Sequence, residues 1–123
     1  AGAHELVDYL RGKGYRLHIC SNGFHEVQYK KLDRCGMKDK FDTIILSEDA
    51  GYNKPSKFFF DYAFAKSGAN ASTTIMIGDS LTTDMQGAIN AGIDTIYFRR
   101  EGQQHSDDVM YTVESLVDIC NIL

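Results

Sequence analysis

The chain has 123 residues, enough for one compact domain (residues 1–123) with its own apolar core and too few to argue for two. Apolar residues make up 43% and charged residues 24%, the proportions of an ordinary globular protein, which argues against disorder. A net charge of −4, from 13 basic and 17 acidic residues, gives no reason to expect a nucleic-acid partner, whose backbone requires a basic face.

Helix and strand alternate almost to the end. Ala3 to Lys13 reads as a helix with Leu6, Val7 and Leu10 on one face and Gly14 as its stop. Arg16 to Cys20 is a predicted strand that runs into Ser21-Asn22-Gly23, a turn signal. His25 to Cys35 follows as a helix closed by Gly36, and Phe41 to Ser47 is a β-prone run. A loop from Glu48 to Pro55 leads to a helix that opens around Ser56 and ends at Gly68, with Pro55 and Ser56 suited to its start. Thr74 to Gly78 is wholly apolar after its first residue, as expected of a strand buried on both faces. Asp84 to Ala91 is the next helix, stopped by Gly92, and Asp94 to Phe98 is the last clear strand. Arg99 to Asp108 is polar and reads as a surface loop, and Glu114 to Leu123 has helical spacing.

This order predicts an α/β fold, a Rossmann-like parallel sheet with helices on both faces. In such sheets the binding crevice lies beyond the carboxyl ends of the strands. The polar residues gather at those ends: Ser21-Asn22-Gly23 after one strand, Glu48-Asp49 after another, Gly78-Asp79-Ser80 after a third. Three scattered cysteines, Cys20, Cys35 and Cys120, form neither a C-x-x-C zinc pattern nor a disulfide framework, and fit a reducing, cytoplasmic setting. No apolar run approaches the ~20 residues of a membrane span.

Three segments carry candidate chemistry. In Gly78-Asp79-Ser80-Leu81-Thr82-Thr83-Asp84 two carboxylates bracket a strand-to-helix turn, an oxygen-only donor set suited to Mg²⁺. Asp84 could equally cap the helix that starts there, whereas Asp79 follows an apolar run where an ionised group needs a partner. Ser21, Asn22 and Gly23 offer a hydroxyl, an amide and backbone N–H groups before a helix, a cradle for a phosphoryl group or simply a turn. Lys54, in Asn53-Lys54-Pro55, is either a solvated lysine or an ammonium that offsets charge on a phosphoryl group and a neighbouring acid.

In this order, and within the stretches GYRLHICSNG, NKPSKFFFDYA and IMIGDSLTTDMQGAINAG, these segments resemble the second, third and fourth motifs of the haloacid dehalogenase superfamily. The resemblance extends to about Arg100 and is strongest to its capped phosphatases, the pyrimidine 5′-nucleotidase-like group especially. It implies that Ser21, Asn22 and Gly23 bind the transferring phosphoryl group together with Lys54. It implies a catalytic role for Lys54 and Asp79, Mg²⁺ as cofactor with Asp79 as its ligand, and Asp84 supporting either the metal or Lys54. An intact Gly-Asp-Ser-x-x-x-Asp favours phosphoryl transfer over dehalogenation. The implied partner is a small phosphorylated metabolite.

The family's first motif, Asp-x-Asp-x-Thr/Val, carries the aspartate that attacks phosphorus and a second that acts as general acid and base. No Asp-x-Asp occurs in the chain; Asp107-Asp108 is adjacent and lies past the last clear strand. The resemblance therefore implies a core that lacks its nucleophile strand and cap, inactive alone, whose sheet needs the upstream segment or self-association for completion. In the family that strand lies between the strands matching Arg16–Cys20 and Thr74–Gly78, so two apolar edges are expected to be left open. A sugar-phosphate mutase and a non-catalytic phosphate-binding or interaction module are the alternatives. Because the cap chooses the leaving group in capped members, the substrate is not legible here.

Overall fold

Helix α1 spans Ala3–Gly12, and its apolar face, Leu6, Val7 and Leu10, is buried as the periodicity requires. Gly14, at φ +89°, then turns the chain in the left-handed region that only glycine adopts freely. In this computed structural model residues 2–123 are described, apart from the side chain of His25; Ala1 lies outside them. Strand β1 is His18–Ser21, α2 is His25–Cys35 and β2 is Thr43–Leu46. The expected loop after β2 begins instead as one helical turn, α3, Ser47–Ala50. Helix α4, Lys57–Ser67, is capped by Ser56, whose hydroxyl accepts from the Phe58 N–H at 3.2 Å. Pro55 and Ser56 thus stand just before the helix rather than in its first turn.

Strand β3, Ile75–Gly78, leads into a wide π-helical turn, Leu81–Met85, continued by α5, Gln86–Asn90. Its cap is Ser80, whose hydroxyl accepts from the Thr83 N–H at 3.2 Å, so Asp84 is released from capping. Strand β4 is Asp94–Phe98, and a fifth strand unforeseen in the sequence, β5, is Tyr111–Val113. The tail forms a 3₁₀ helix, Leu116–Asn121, in place of an α-helix. Among the described residues no helix is long and apolar enough to cross a membrane.

All strand pairs are parallel, in the α/β manner expected, but they form two sheets, β1-β2 and β3-β4-β5. Phe59, Phe60 and Ala63 of α4 and Ala88 of α5 pack on Ile45 of β2. On the other side Leu6 and Leu10 of α1 and Ile119 of the tail pack on Ile96 and Val113. Between the sheets a cavity of about 730 Å³ is lined by His18 and Cys20 of β1 and by Ile75, Met76 and Ile77 of β3. The expectation that the 74–78 strand is buried on both faces is therefore corrected. Every residue of β1 and β3 is only half-buried, because one edge of each strand opens into the cavity, while Ile45, Leu46, Ile96 and Tyr97 of their neighbours are fully buried.

Candidate functional site

The cavity reaches Lys54 and Asp84 at the carboxyl ends of β1 and β3. Lys54 is no solvated lysine: its side chain is 9% exposed, and its ammonium donates to the Asp84 carboxylate at 2.5 Å and to the Cys20 carbonyl at 2.9 Å. Asp84 is 10% exposed on its side chain, so the pair is removed from bulk water. Such a pair exists only where geometry is good, since desolvating each ion costs several kcal/mol.

Two backbones make that geometry possible. Asn22 grips the chain at Lys54 from both sides, its Oδ1 accepting from the Lys54 N–H at 2.7 Å and its Nδ2 donating to the Lys54 carbonyl at 3.2 Å. The turn after β1 is thereby fastened to the loop before α4. Gly78, the last residue of β3, lets Asp84 fold back against the strand: a Cβ there would stand 2.4 Å from Asp84 Oδ2 and 2.6 Å from Asp84 Cβ. The wide turn 81–85 then carries Asp84 inward, a departure from regular helix of the kind found often at functional sites.

Ser21 closes β1 and Gly23 follows Asn22, so the segment Ser21-Asn22-Gly23 stands beside Lys54. Asp79, the residue after β3, contacts the turn after β4. Its Oδ2 accepts from Arg100 Nη2 at 2.9 Å, and its carbonyl accepts from Gln103 Nε2 at 3.1 Å. Lys54, Asn22 and Asp84 are thus joined directly, whereas Asp79 borders them by chain connection and makes these contacts with the turn after β4. Glu48 and Asp49 lie on α3, with Asp49 3.9 Å from Lys66.

Arg99 pairs with Glu114 at 3.0 Å and Arg100 with Asp79. Neither Arg100 nor Gln103 was legible as a site neighbour. The only signal would have been the register, which sets Gly78 opposite Tyr97 and so brings the residue after β3 level with those after β4. Cys20 lines the same cleft, but burial pushes its thiol up to about 11 against the pull of Lys54, so it is a protonated wall and no nucleophile at neutral pH.

Asp79 offers a partly exposed carboxylate, an oxygen donor of the kind a hard divalent cation takes, while the Asp84 carboxylate is engaged by Lys54. Among the described residues no group of three or more His, Cys, Asp or Glu side chains could enclose a metal by itself. A cation that keeps most of its waters and takes one or two carboxylates matches that arrangement best.

A family model described as haloacid dehalogenase-like hydrolase matches residues 1–98. The chain is 34% identical over 125 residues to the pyrimidine 5′-nucleotidase YjjG of Escherichia coli (strain K12), across 99% of this chain and 55% of that protein. It is 36% identical over 96 residues to a glyceraldehyde 3-phosphate phosphatase of Methanothermobacter thermautotrophicus, across 78% of this chain and 42% of that protein. Among solved structures, the magnesium-bound HAD-hydrolase YfnB of Bacillus subtilis superimposes with a TM-score of 0.91 at 34% identity, across 98% of this chain and 54% of that one. The chain spans about half the length of the curated relatives it matches.

Proposed function

The chain belongs to the haloacid dehalogenase-like hydrolases, and from that premise we propose that it is the phosphate- and metal-binding part of a Mg²⁺-dependent phosphomonoester hydrolase. The observation that carries this reading is the buried ammonium of Lys54, held between the Asp84 carboxylate and the Cys20 carbonyl at the mouth of the interstrand cleft. A cation fixed there, in a site shielded from water, is aimed at an oxyanion and needs no reorganisation when charge develops.

In this reading Ser21, Asn22 and Gly23 bind the phosphoryl oxygens, with Lys54 as their counter-charge. Asp84 holds Lys54 in place and borders the metal shell, and Asp79 presents its carboxylate to Mg²⁺. The metal, when bound, supplies further neutralisation of the phosphoryl oxygens. The attacking aspartate, which the family carries in its Asp-x-Asp segment, comes from outside these 123 residues, and the open edges of β1 and β3 are where its strand enters. Nucleotides are the narrower substrate class, supported by the likeness to a pyrimidine 5′-nucleotidase. The likeness to a glyceraldehyde 3-phosphate phosphatase supports the wider class of small phosphate esters.

The test is phosphate release from p-nitrophenyl phosphate with Mg²⁺, comparing this chain with its natural longer form. Turnover by the longer form alone, stopped by EDTA and lowered ~100-fold or more by Lys54→Met, is the expected result. Equal turnover by the short chain places the nucleophile within it and overturns the reading.

A further inference from the structure

Asp79 does not wait alone at its strand end. The turn that follows β4 is pinned from several sides: the Arg99 N–H donates to the Val113 carbonyl at 2.8 Å, Arg99 Nη1 meets Glu114 at 3.0 Å, and the Tyr97 hydroxyl donates to the Gln104 carbonyl at 3.0 Å. Gln103 completes the bracket. Its Oε1 accepts from the Arg100 N–H at 2.7 Å while its Nε2 donates to the Asp79 carbonyl at 3.1 Å. The backbone of Arg100 is therefore held beside Asp79, and its guanidinium takes Asp79 Oδ2 at 2.9 Å. The Arg100 side chain is 64% exposed and that of Asp79 40%, so the pair itself contributes little to stability and the guanidinium can leave without disturbing the fold.

We propose that Arg100 is a resident counter-cation for Asp79, one that competes with the divalent cation and sets how weakly the site holds it. The inference rests on the reading of Asp79 as a metal ligand. Two effects oppose each other. Arg100 steadies the carboxylate, which favours binding, and its positive charge would repel a divalent ion taken by the same carboxylate, which opposes it. Steadying an exposed carboxylate is the smaller effect, because exposed pairs are weakly coupled. The repulsion is doubled by the ion's charge and wins. Arg100 is thus a positioning and tuning residue rather than a catalytic one, and it keeps Asp79 charge-paired whenever the cation is away.

The experiment is Mn²⁺ binding, read as loss of the free-ion electron paramagnetic resonance signal, for this chain and its natural longer form at low ionic strength. Arg100→Gln should tighten Mn²⁺ by about fivefold, with the difference shrinking at high salt. Arg100→Lys, which keeps the charge, should stay near wild type, and the metal-free melting temperature should be the same for all three. Asp79→Asn should weaken binding strongly. If Asp79→Asn lowers affinity while Arg100→Gln leaves it unchanged or lowers it, Arg100 has no competing role and only this inference fails. A lysine variant that binds as tightly as the glutamine variant also overturns it, since charge is then not the cause. If Asp79→Asn binds as wild type does, or no form binds Mn²⁺, the metal-ligand reading of Asp79 fails and takes the inference with it.

Discussion

The side chains of Lys54 and Asp84 are each about nine-tenths buried and 2.5 Å apart, which makes them a pair whose halves are worth little singly. Removing one partner strands the other charge away from water, at a cost of about 3–5 kcal/mol, while replacing both with apolar residues is close to neutral. Urea unfolding of Lys54→Met, Asp84→Leu and the double variant should therefore be strongly non-additive, the double variant losing less than either single one; additive losses would show that the pair is solvated. His18, on the edge of β1, makes a pH-dependent contribution. Its Nδ1 is buried without a hydrogen-bond partner among the described residues, and burial lowers its pKa from the usual 6.5, with Arg16 adding to the effect and Asp42 opposing it. The unfolded chain then takes up a proton before the folded one does. Stability attributable to His18 is full above the unfolded value and is lost as pH falls below it towards the depressed folded value. Between about pH 7 and 5.5 wild type should lose stability more steeply than His18→Gln; parallel curves would remove His18 from the account.

At the scale of elements, the docking of α5 on α4 depends on a missing side chain. A Cβ on Gly87 would stand 2.5 Å from the Phe60 ring and 3.1 Å from Pro55 Cα. Helix propensity alone favours Gly87→Ala by up to about 1 kcal/mol. Overpacking a close contact costs about 1–3 kcal/mol, and here it wins because the obstacles are a buried ring and backbone. Gly87→Ala should lower the melting temperature despite its better helix propensity; a higher melting temperature would mean that α4 and α5 can part without loss. The same scale shows where sequence reading reached its limit. Helices α1, α2 and α4 and strands β1 to β4 were legible because each carries a periodic apolar face or a run bounded by glycine or proline. Strand β5 has three residues, too few for any periodicity, and is a strand only because Phe98, Tyr97 and Ile96 offer it an edge. The tail's helical spacing was real, but its short segment tightened to 3₁₀ where it packs against α1.

At the scale of the whole molecule, two parallel sheets face each other across an open cleft, and among the described residues β1 pairs only with β2 and β3 only with β4, the other edge of each lying along the cleft. Unpaired apolar strand edges recruit other strands. By itself the chain should therefore self-associate or unfold with low cooperativity, and size-exclusion chromatography with light scattering decides the point. A monodisperse monomer that unfolds cooperatively would show that the cleft is stable as it stands.

The sequence by itself determined the alternation of helix and strand, the parallel α/β class and the placing of Ser21-Asn22-Gly23, Glu48-Asp49 and Gly78-Asp79-Ser80 at the carboxyl ends of strands. All of these depend on local periodicity and on the rule that strands in such a fold run the same way. Tertiary structure alone decided which of the candidate residues meet. Of the alternatives left open for Asp84, helix cap or support for Lys54 or a metal, packing selects the partner of Lys54, because Ser80 caps the turn and Gly78 leaves room for the carboxylate. Asp79 met Arg100 because parallel register brings the ends of β3 and β4 level, across a separation in sequence that no local pattern spans. Burial of an ion pair and juxtaposition across strands are properties of packing, and they become visible only when the strands are side by side.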